Sequence, residues 1–369
     1  MEGALNMKNI LITAGPIPSR LDSVKFITNR FKGGLSLKLA NYLVEKKCKV
    51  TVMCWKFSGI KETENYDVIY VDDVIDYYNK VLDFKADMYI LSAAVANLMP
   101  SNPYEGKFPS HKYKVGEKFD VQFEIAPRVI DDIKKKYPRS SLIGYKLYDG
   151  TREELIQAAK KTLFESKANL VFANTPNDAK TNKIVLTQDG ALYDCSFEEH
   201  CELIYKLFNE EFYKTIPIED ITPLRENEKF VLTNYPKHYE DGRVYGSYAV
   251  RRENGFLTTT RGKFGGKEEV SFVSHVNHDK KIVYSTTKAT LNAPLLHKVL
   301  ELNPNINYLI HSHEMIGKNI HNEYEFPGSV GDLKFATKMN DGDIVLLTKH
   351  GYLAAFETLE SFKKFLERK

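Results

Sequence analysis

Asn9-Ile10-Leu11-Ile12-Thr13-Ala14-Gly15-Pro16 is a short apolar run closed by residues through which a helix cannot continue, so a strand is predicted over Asn9 to Thr13. Downstream, Gly33 to Lys47 places Leu35, Leu39, Leu43 and Val44 at helical spacing. Lys49 to Trp55 is strand-like again, and Asp87 to Ala94 is a near-continuous apolar run of the kind buried in parallel sheets. Arg128 to Lys136 and Thr151 to Glu165 read as helices, with Leu170 to Ala173 as another buried strand. Strands alternating with helices imply right-handed βαβ units. The expectation is an α/β, three-layer Rossmann-like domain with a mostly parallel sheet and ligands beyond the carboxyl ends of its strands.

Farther out, the pattern changes. Around Tyr213 to Asn227 the periodicity lapses into Ile216-Pro217-Ile218-Glu219-Asp220-Ile221-Thr222-Pro223, which predicts a linker over residues 215–228 between domains at 7–214 and 229–369. Shorter strands follow at Tyr245 to Arg251, Gly255 to Thr259, Val270 to Val276 and Lys281 to Ser285. A helix at Ala293 to Leu302 and strands at Tyr308 to Ser312 and Asp343 to Thr348 complete a mixed α/β domain. A chain of 369 residues fits two such domains. Its apolar fraction of 43% excludes a disordered chain, and a net charge of +3 argues against a nucleic-acid binder. No apolar run reaches the ~20 residues that span a bilayer, and the start lacks a secretory apolar region, so no membrane partner and a cytoplasmic address are expected. Met1 to Asn6 reads as a leader before a start at Met7. Cys48, Cys54, Cys195 and Cys201 have neither zinc-type spacing nor disulfide density and are read as reduced and structural.

The loop after the first strand carries neither a dinucleotide fingerprint nor a P-loop, which disfavours a nicotinamide dehydrogenase. It does return through Lys25, Asn29, Arg30, Lys32, Gly33 and Gly34 to a helix N-terminus, where unpaired N–H groups favour anions. Ile12 to Pro16, Leu21-Asp22, Phe26-Ile27-Thr28-Asn29 and Gly33 resemble the opening of the phosphopantothenate–cysteine ligase family. Ser92 to Asn97, His111-Lys112-Tyr113-Lys114, Ala126-Pro127, Leu142 to Tyr145, Ala168 to Asn174 and Lys183 to Leu186 continue the resemblance in order, over about residues 8–210. It implies activation of a carboxylate by CTP or ATP with Mg²⁺, through an acyl-nucleotidylate, and amide formation with an amine. By position, Asn29 would hold the acyl-nucleotidylate and Lys112 would neutralise phosphate charge, both as catalytic residues. Gly15, Lys25, Ala93, Ala94, Asn97, Lys114 and Asn174 would line the nucleotide and substrate site. Lys25 stands where the family has arginine, Asn97 where it has aspartate, and Thr175 where it has another.

In the second half His311 and His313 lie two apart on a strand, so both imidazoles share a face and can chelate one ion, with His350 ending another strand as a third donor. Gly246 to Arg251, Phe256 to Gly262, Lys288 to Leu296, Pro304 to His313, Pro327-Gly328-Ser329 and Val345 to Gly351 resemble, in order, the class II aldolase/adducin family. The resemblance implies that His311, His313 and His350 ligate zinc or another divalent metal, with Ser247, Arg261, Gly262, Thr290 and Asn292 at the substrate. Asn292 falls where the family has its acid/base glutamate, and an amide cannot shuttle protons, so Glu314 is the candidate substitute base. His275 and His278 are read as solvated, His297 as packing, and His321 receives no role. The whole reads as a bifunctional, homo-oligomeric enzyme of small molecules and a nucleotide: a ligase joined to aldolase-like lyase, dehydratase or epimerase chemistry on a small (phospho)sugar or related carbonyl compound. The alternative is a non-catalytic, nucleotide-binding or adducin-like scaffold with degenerate sites.

Overall fold

The computed structural model describes residues 8–177, 183–219, 223–240, 242–263 and 270–368. Residues 1–7, which include the expected leader and start, lie outside them. The chain forms two compact units, one of residues 1–188 and 192–208, the other of residues 189–191 and 209–369.

In the first unit β1 (Asn9–Ala14), β2 (Lys49–Trp55), β3 (Asp67–Val71), β4 (Met88–Leu91), β5 (Ser141–Leu147), β6 (Leu170–Asn174), β7 (Lys183–Thr187) and β8 (Leu192–Cys195) form one sheet of order 8-7-6-5-4-1-2-3. Strands β1 to β6 pair parallel, while β7 and β8 are added antiparallel at one edge. Ile10, Leu11 and Ile12 are all fully buried, as a strand covered on both faces requires. Helices α1 (Gly34–Glu45), α2 (Val74–Asp83), α3 (Ile130–Lys136), α4 (Arg152–Ser166) and α5 (Phe197–Asn209) accompany the sheet. The Asp73 side chain accepts from Ile75 and Asp76 N–H to start α2, and a Thr151/Glu154 capping box starts α4. Gly33 (φ 81°) enters α1 directly against the first loop: a Cβ there would lie 2.5 Å from the Gly15 nitrogen. The sheet order reverses between β1 and β4, the switch point at which such folds bind ligands.

In the second unit β9 (Lys214–Pro217), β10 (Ser247–Arg252), β11 (Gly255–Thr259), β12 (Val270–Asn277), β13 (Ile282–Ser285), β14 (Tyr308–Ser312), β15 (Lys318–Asn319), β16 (Ile344–Leu347) and β17 (Gly351–Phe356) form a sheet of order 9-13-12-11-10-14-17-16-15. Its central pairings are antiparallel. Helices α6 (Glu226–Asn234), α7 (Ala293–Leu302) and α8 (Leu359–Glu367) pack with it. The expected linker is therefore not all irregular. β9 pairs parallel with β13, because alternate residues of Lys214–Pro217 can satisfy an edge despite the proline. Glu226 already opens α6, which is fixed by a buried bidentate pair of Glu228 with Arg252, both contacts 2.7 Å. Residues 220–222 of that stretch lie outside the described residues.

Candidate functional site

The loop that leaves β4 is pinned against the end of β1. Ser92 Oγ donates to the Thr13 carbonyl (2.7 Å), Ala93 N–H to Thr13 Oγ1 (3.1 Å) and Ala94 N–H to the Gly15 carbonyl (2.9 Å). Pro16–Ile17 then pairs parallel with Ala94–Val95. Asn29 Nδ2 donates to the Ala94 carbonyl at 3.0 Å, which places this amide at the mouth of a cavity of about 420 Å³. Ala93, Ala94 and Asn97 line the same cavity, and Arg128 and Lys146 bring cations to it. Burial and the neighbouring Arg128 both lower the Lys146 ammonium below its ordinary value. The site can thus hold an anion beside a carbonyl- and amide-rich wall.

Other expected residues lie elsewhere. The Lys25 ammonium sits 2.8 Å from Asp22, whose buried carboxylate also accepts from the Val24, Lys25 and Phe108 N–H groups. That ion pair holds Asp22 well below the usual carboxylate range, so Lys25 is engaged by Asp22, which ties its own loop to Phe108, and does not line the cavity. Lys112, on the short 3₁₀ turn Ser110–Lys112, and Lys114 are exposed and also outside its lining. Their loop is organised by the rings of Phe108, Tyr113 and Phe119, with Tyr113 and Phe119 4.5 Å apart. Asn174 Oδ1 accepts from the buried Lys183 ammonium at 2.8 Å. Arg128 and Lys146 were missed by sequence reasoning. The apolar run into β5 hid a lysine at its carboxyl end, where the fold places ligands.

The second unit brings His311, His313 and His350 together, with one donor atom of each within 4.8 Å of the others. His311 is carried by β14, His313 follows it, and His350 immediately precedes β17. Gly351 (φ 137°) permits this approach, since a Cβ there would lie 2.0 Å from the Ser312 carbonyl oxygen. His311 Nδ1 lies 3.0 Å from the Tyr352 carbonyl, which can only accept, so Nδ1 carries the proton and Nε2 keeps its lone pair. His350 Nδ1 lies 3.1 Å from Asp189 Oδ2, and Tyr324 Oη donates to Asp189 Oδ1 at 2.7 Å. His350 Nε2 lies 3.1 Å from that of His311, and in the tautomer with the His350 proton on Nδ1, beside this carboxylate, both nitrogens present lone pairs there. Two lone pairs so placed repel unless a cation lies between them, so the donor set fits a metal ion. Burial, then the neighbouring imidazoles, holds His311 and His313 well below the ordinary histidine range. Both are therefore unprotonated donors.

Around this centre Ser247 is buried and cross-strand from His311. Asn292 Nδ2 points at Ser247 Oγ (3.5 Å), while its buried Oδ1 has no hydrogen-bond partner among the described residues. Thr290 Oγ1 accepts from the Asn292 N–H, and Arg261 and Gly262 form an exposed loop tied to the Lys288 carbonyl. Glu314 is exposed. Carboxyls set more deeply than Glu314 are Asp189, whose side chain is 8% exposed, and the buried Asp332, pushed by burial up to about 7. Asp189 was missed because it lies in the turn between β7 and β8, far from the histidines in sequence. His278, expected to be solvated, is partly buried, with Nδ1 2.7 Å from Tyr213 Oη and Nε2 3.1 Å from His297 Nδ1. His321 pairs with buried Glu325 at 2.7 Å.

Several known proteins resemble parts of this chain. The coenzyme A biosynthesis bifunctional protein CoaBC of Thermococcus kodakarensis is 30% identical over 188 residues, which are 50% of this chain and 45% of that protein. Its Bacillus subtilis counterpart is 25% identical over 181 residues, 48% of this chain and 42% of that protein. The chain thus spans about half the length of the curated relatives it matches. Among solved structures, the DNA/pantothenate metabolism flavoprotein of Streptococcus pneumoniae aligns over 55% of this chain and 97% of its own at 23% identity and a TM-score of 0.47. YgbL of Klebsiella pneumoniae, a putative aldolase/epimerase/decarboxylase, aligns over 37% of this chain and 77% of its own at 17% identity and a TM-score of 0.27. The DNA/pantothenate metabolism flavoprotein C-terminal domain profile matches residues 5–206, more than half of the chain, and the chain belongs to that family.

Proposed function

We propose that the first unit is a nucleotide-dependent ligase of the kind that makes phosphopantothenoylcysteine, on that acid or a related one. The observation that carries the reading is the cavity at the switch point, where Asn29, the Ala93–Ala94 backbone, Arg128 and Lys146 converge. An acid oxygen attacks the α-phosphorus of CTP or ATP and pyrophosphate leaves with Mg²⁺. The amine nitrogen then attacks the acyl carbon, losing a proton, and the nucleoside monophosphate departs. Both ligands are anions, so cations and amide donors must offset their repulsion before the oxygen can approach phosphorus. Asn29 holds the acyl-nucleotidylate in this reading, and the exposed loop of Lys112 and Lys114 supplies further charge. Mass spectrometry after incubation with phosphopantothenate, cysteine, Mg²⁺ and CTP or ATP should show the amide product and pyrophosphate. Asn29→Ala should lower the rate by about 10²-fold or more. Absence of both product and nucleotide binding would sink the proposal.

We further propose that His311, His313 and His350 hold a divalent metal, zinc first among candidates, supported by their facing lone pairs. Such a metal supplies a Lewis acid for the carbonyl of a small (phospho)sugar or related compound. In this chain Asn292 and Ser247 offer hydrogen bonds to that ligand, with Arg261, Gly262 and Thr290 beside them, and Glu314 remains the proposed base. The division into domains at 7–214 and 229–369 is proposed in outline, with a separate hydrophobic cluster in each part, although Tyr213 packs in the cluster of the second. Homo-oligomerisation is proposed from the exposed ribbon of Leu98–Pro100 with Phe123–Ile125. No described helix is long and apolar enough to cross a membrane.

A further inference from the structure

The second unit holds a cluster of donors that neither proposed activity uses. His297 and Glu301 lie one turn apart on α7 and so share a face of the helix. His278 reaches them from the turn after β12. We propose that His278, His297 and Glu301 form a second divalent-cation site, sharing no residue with the three-histidine centre.

His278 Nε2 and His297 Nδ1 are 3.1 Å apart, and they lie 3.6 and 3.7 Å from the same oxygen, Glu301 Oε2. A point about 2.0 Å from all three atoms exists at the centre of that triangle, the distance at which zinc binds imidazole nitrogen and carboxylate oxygen. Ligand edges of a tetrahedral zinc site are about 3.3–3.4 Å at such bond lengths, so little movement is needed to complete one face of a tetrahedron. Tyr213 Oη, 2.7 Å from His278 Nδ1, can accept from that nitrogen and so hold the ring with Nε2 inward, the outer-shell contact expected of a metal-ligating histidine. The Lys298 ammonium lies 3.1 Å from Glu301 Oε2 and competes for the same oxygen. Glu301 and Lys298 are both partly exposed, so Lys298 can swing into solvent when a cation arrives.

The rival is a metal-free hydrogen-bond chain from Tyr213 through His278 to His297. Titration of the metal-free protein with Zn²⁺, and with Co²⁺ followed by visible absorption, separates the two. The wild type should bind two equivalents. His297→Ala should lose one, and Glu301→Gln, at an exposed position where folding is not at stake, should weaken one equivalent about tenfold or more. His311→Ala should lose the other equivalent. Lys298→Gln should tighten the site of Glu301, an effect the hydrogen-bond chain cannot produce. A single equivalent lost in Glu301→Gln and kept in His311→Ala would support this site and overturn the three-histidine reading instead. Binding that His297→Ala and Glu301→Gln both leave unchanged would overturn the proposal.

Discussion

Asp189 is the acid nearest a proposed metal ligand, 3.1 Å from His350 Nδ1 and held on its other side by Tyr324. A carboxylate beside Nδ1 favours the tautomer that leaves Nε2 free to ligate. Asp189→Ala should weaken metal binding at the three-histidine centre about 10–100-fold, and Asp189→Asn, which keeps an acceptor, by less. Competition against a chromophoric chelator measures both. A different histidine governs acid stability. His200 is buried in the first unit with Nε2 2.6 Å from Tyr145 Oη, and burial, aided by Lys183, takes its pKa from 6.5 to about 3. The unfolded chain therefore binds a proton that the folded chain refuses. The neutral ring's contribution is fully present above pH 6.5 and is lost as pH falls toward about 3, on the order of a few kcal/mol. Urea unfolding of His200→Gln should show a flatter dependence on pH over that window. An unchanged slope would exclude His200 as the cause.

Helix α6 is held by a buried ion pair as well as by Val231 in the core. Arg252 and Glu228 are buried and joined bidentately, so removing one partner strands the other charge. Arg252→Met should cost about 3–5 kcal/mol by denaturant titration, and Arg252→Met with Glu228→Leu should recover much of it. This helix was illegible in the sequence because its apolar face is short and its start lies among prolines and charges. By contrast Gly255–Thr259, Ala293–Leu302 and Tyr308–Ser312 were read to the residue, since pattern and punctuation agree there. Strand β17 escaped because its Ala354-Ala355 pair has no strand preference of its own and is held by neighbours on both sides. The three histidines were legible because a strand puts alternate residues on one face. Asp189 was not, because only the fold brings it near them. The pairing of Lys25 with Asp22 lay three residues apart and carried a usable signal: a short acidic loop residue beside the only neighbouring lysine competes with phosphate for it.

At the scale of the molecule, the ribbon of Leu98–Pro100 with Phe123–Ile125 exposes Leu98, Phe123 and Ile125, the last 71% accessible. Exposed apolar strands of this kind invite pairing with another copy. Sedimentation equilibrium should therefore show a dimer or larger assembly, and Ile125→Lys with Phe123→Lys should shift it toward monomer. A wild-type monomer would refute the assignment. The division of the chain carries a further consequence. The second unit is discontinuous, because residues 189–191 belong to it although they lie upstream of 192–208. A crossover at the junction near residue 208 would split that unit: Asp189 would travel with the upstream part and His350 with the downstream part. A chimera exchanged at that junction would set the Asp189 of one parent against the His350 of the other, so exchange of the second unit as a piece must begin before residue 189.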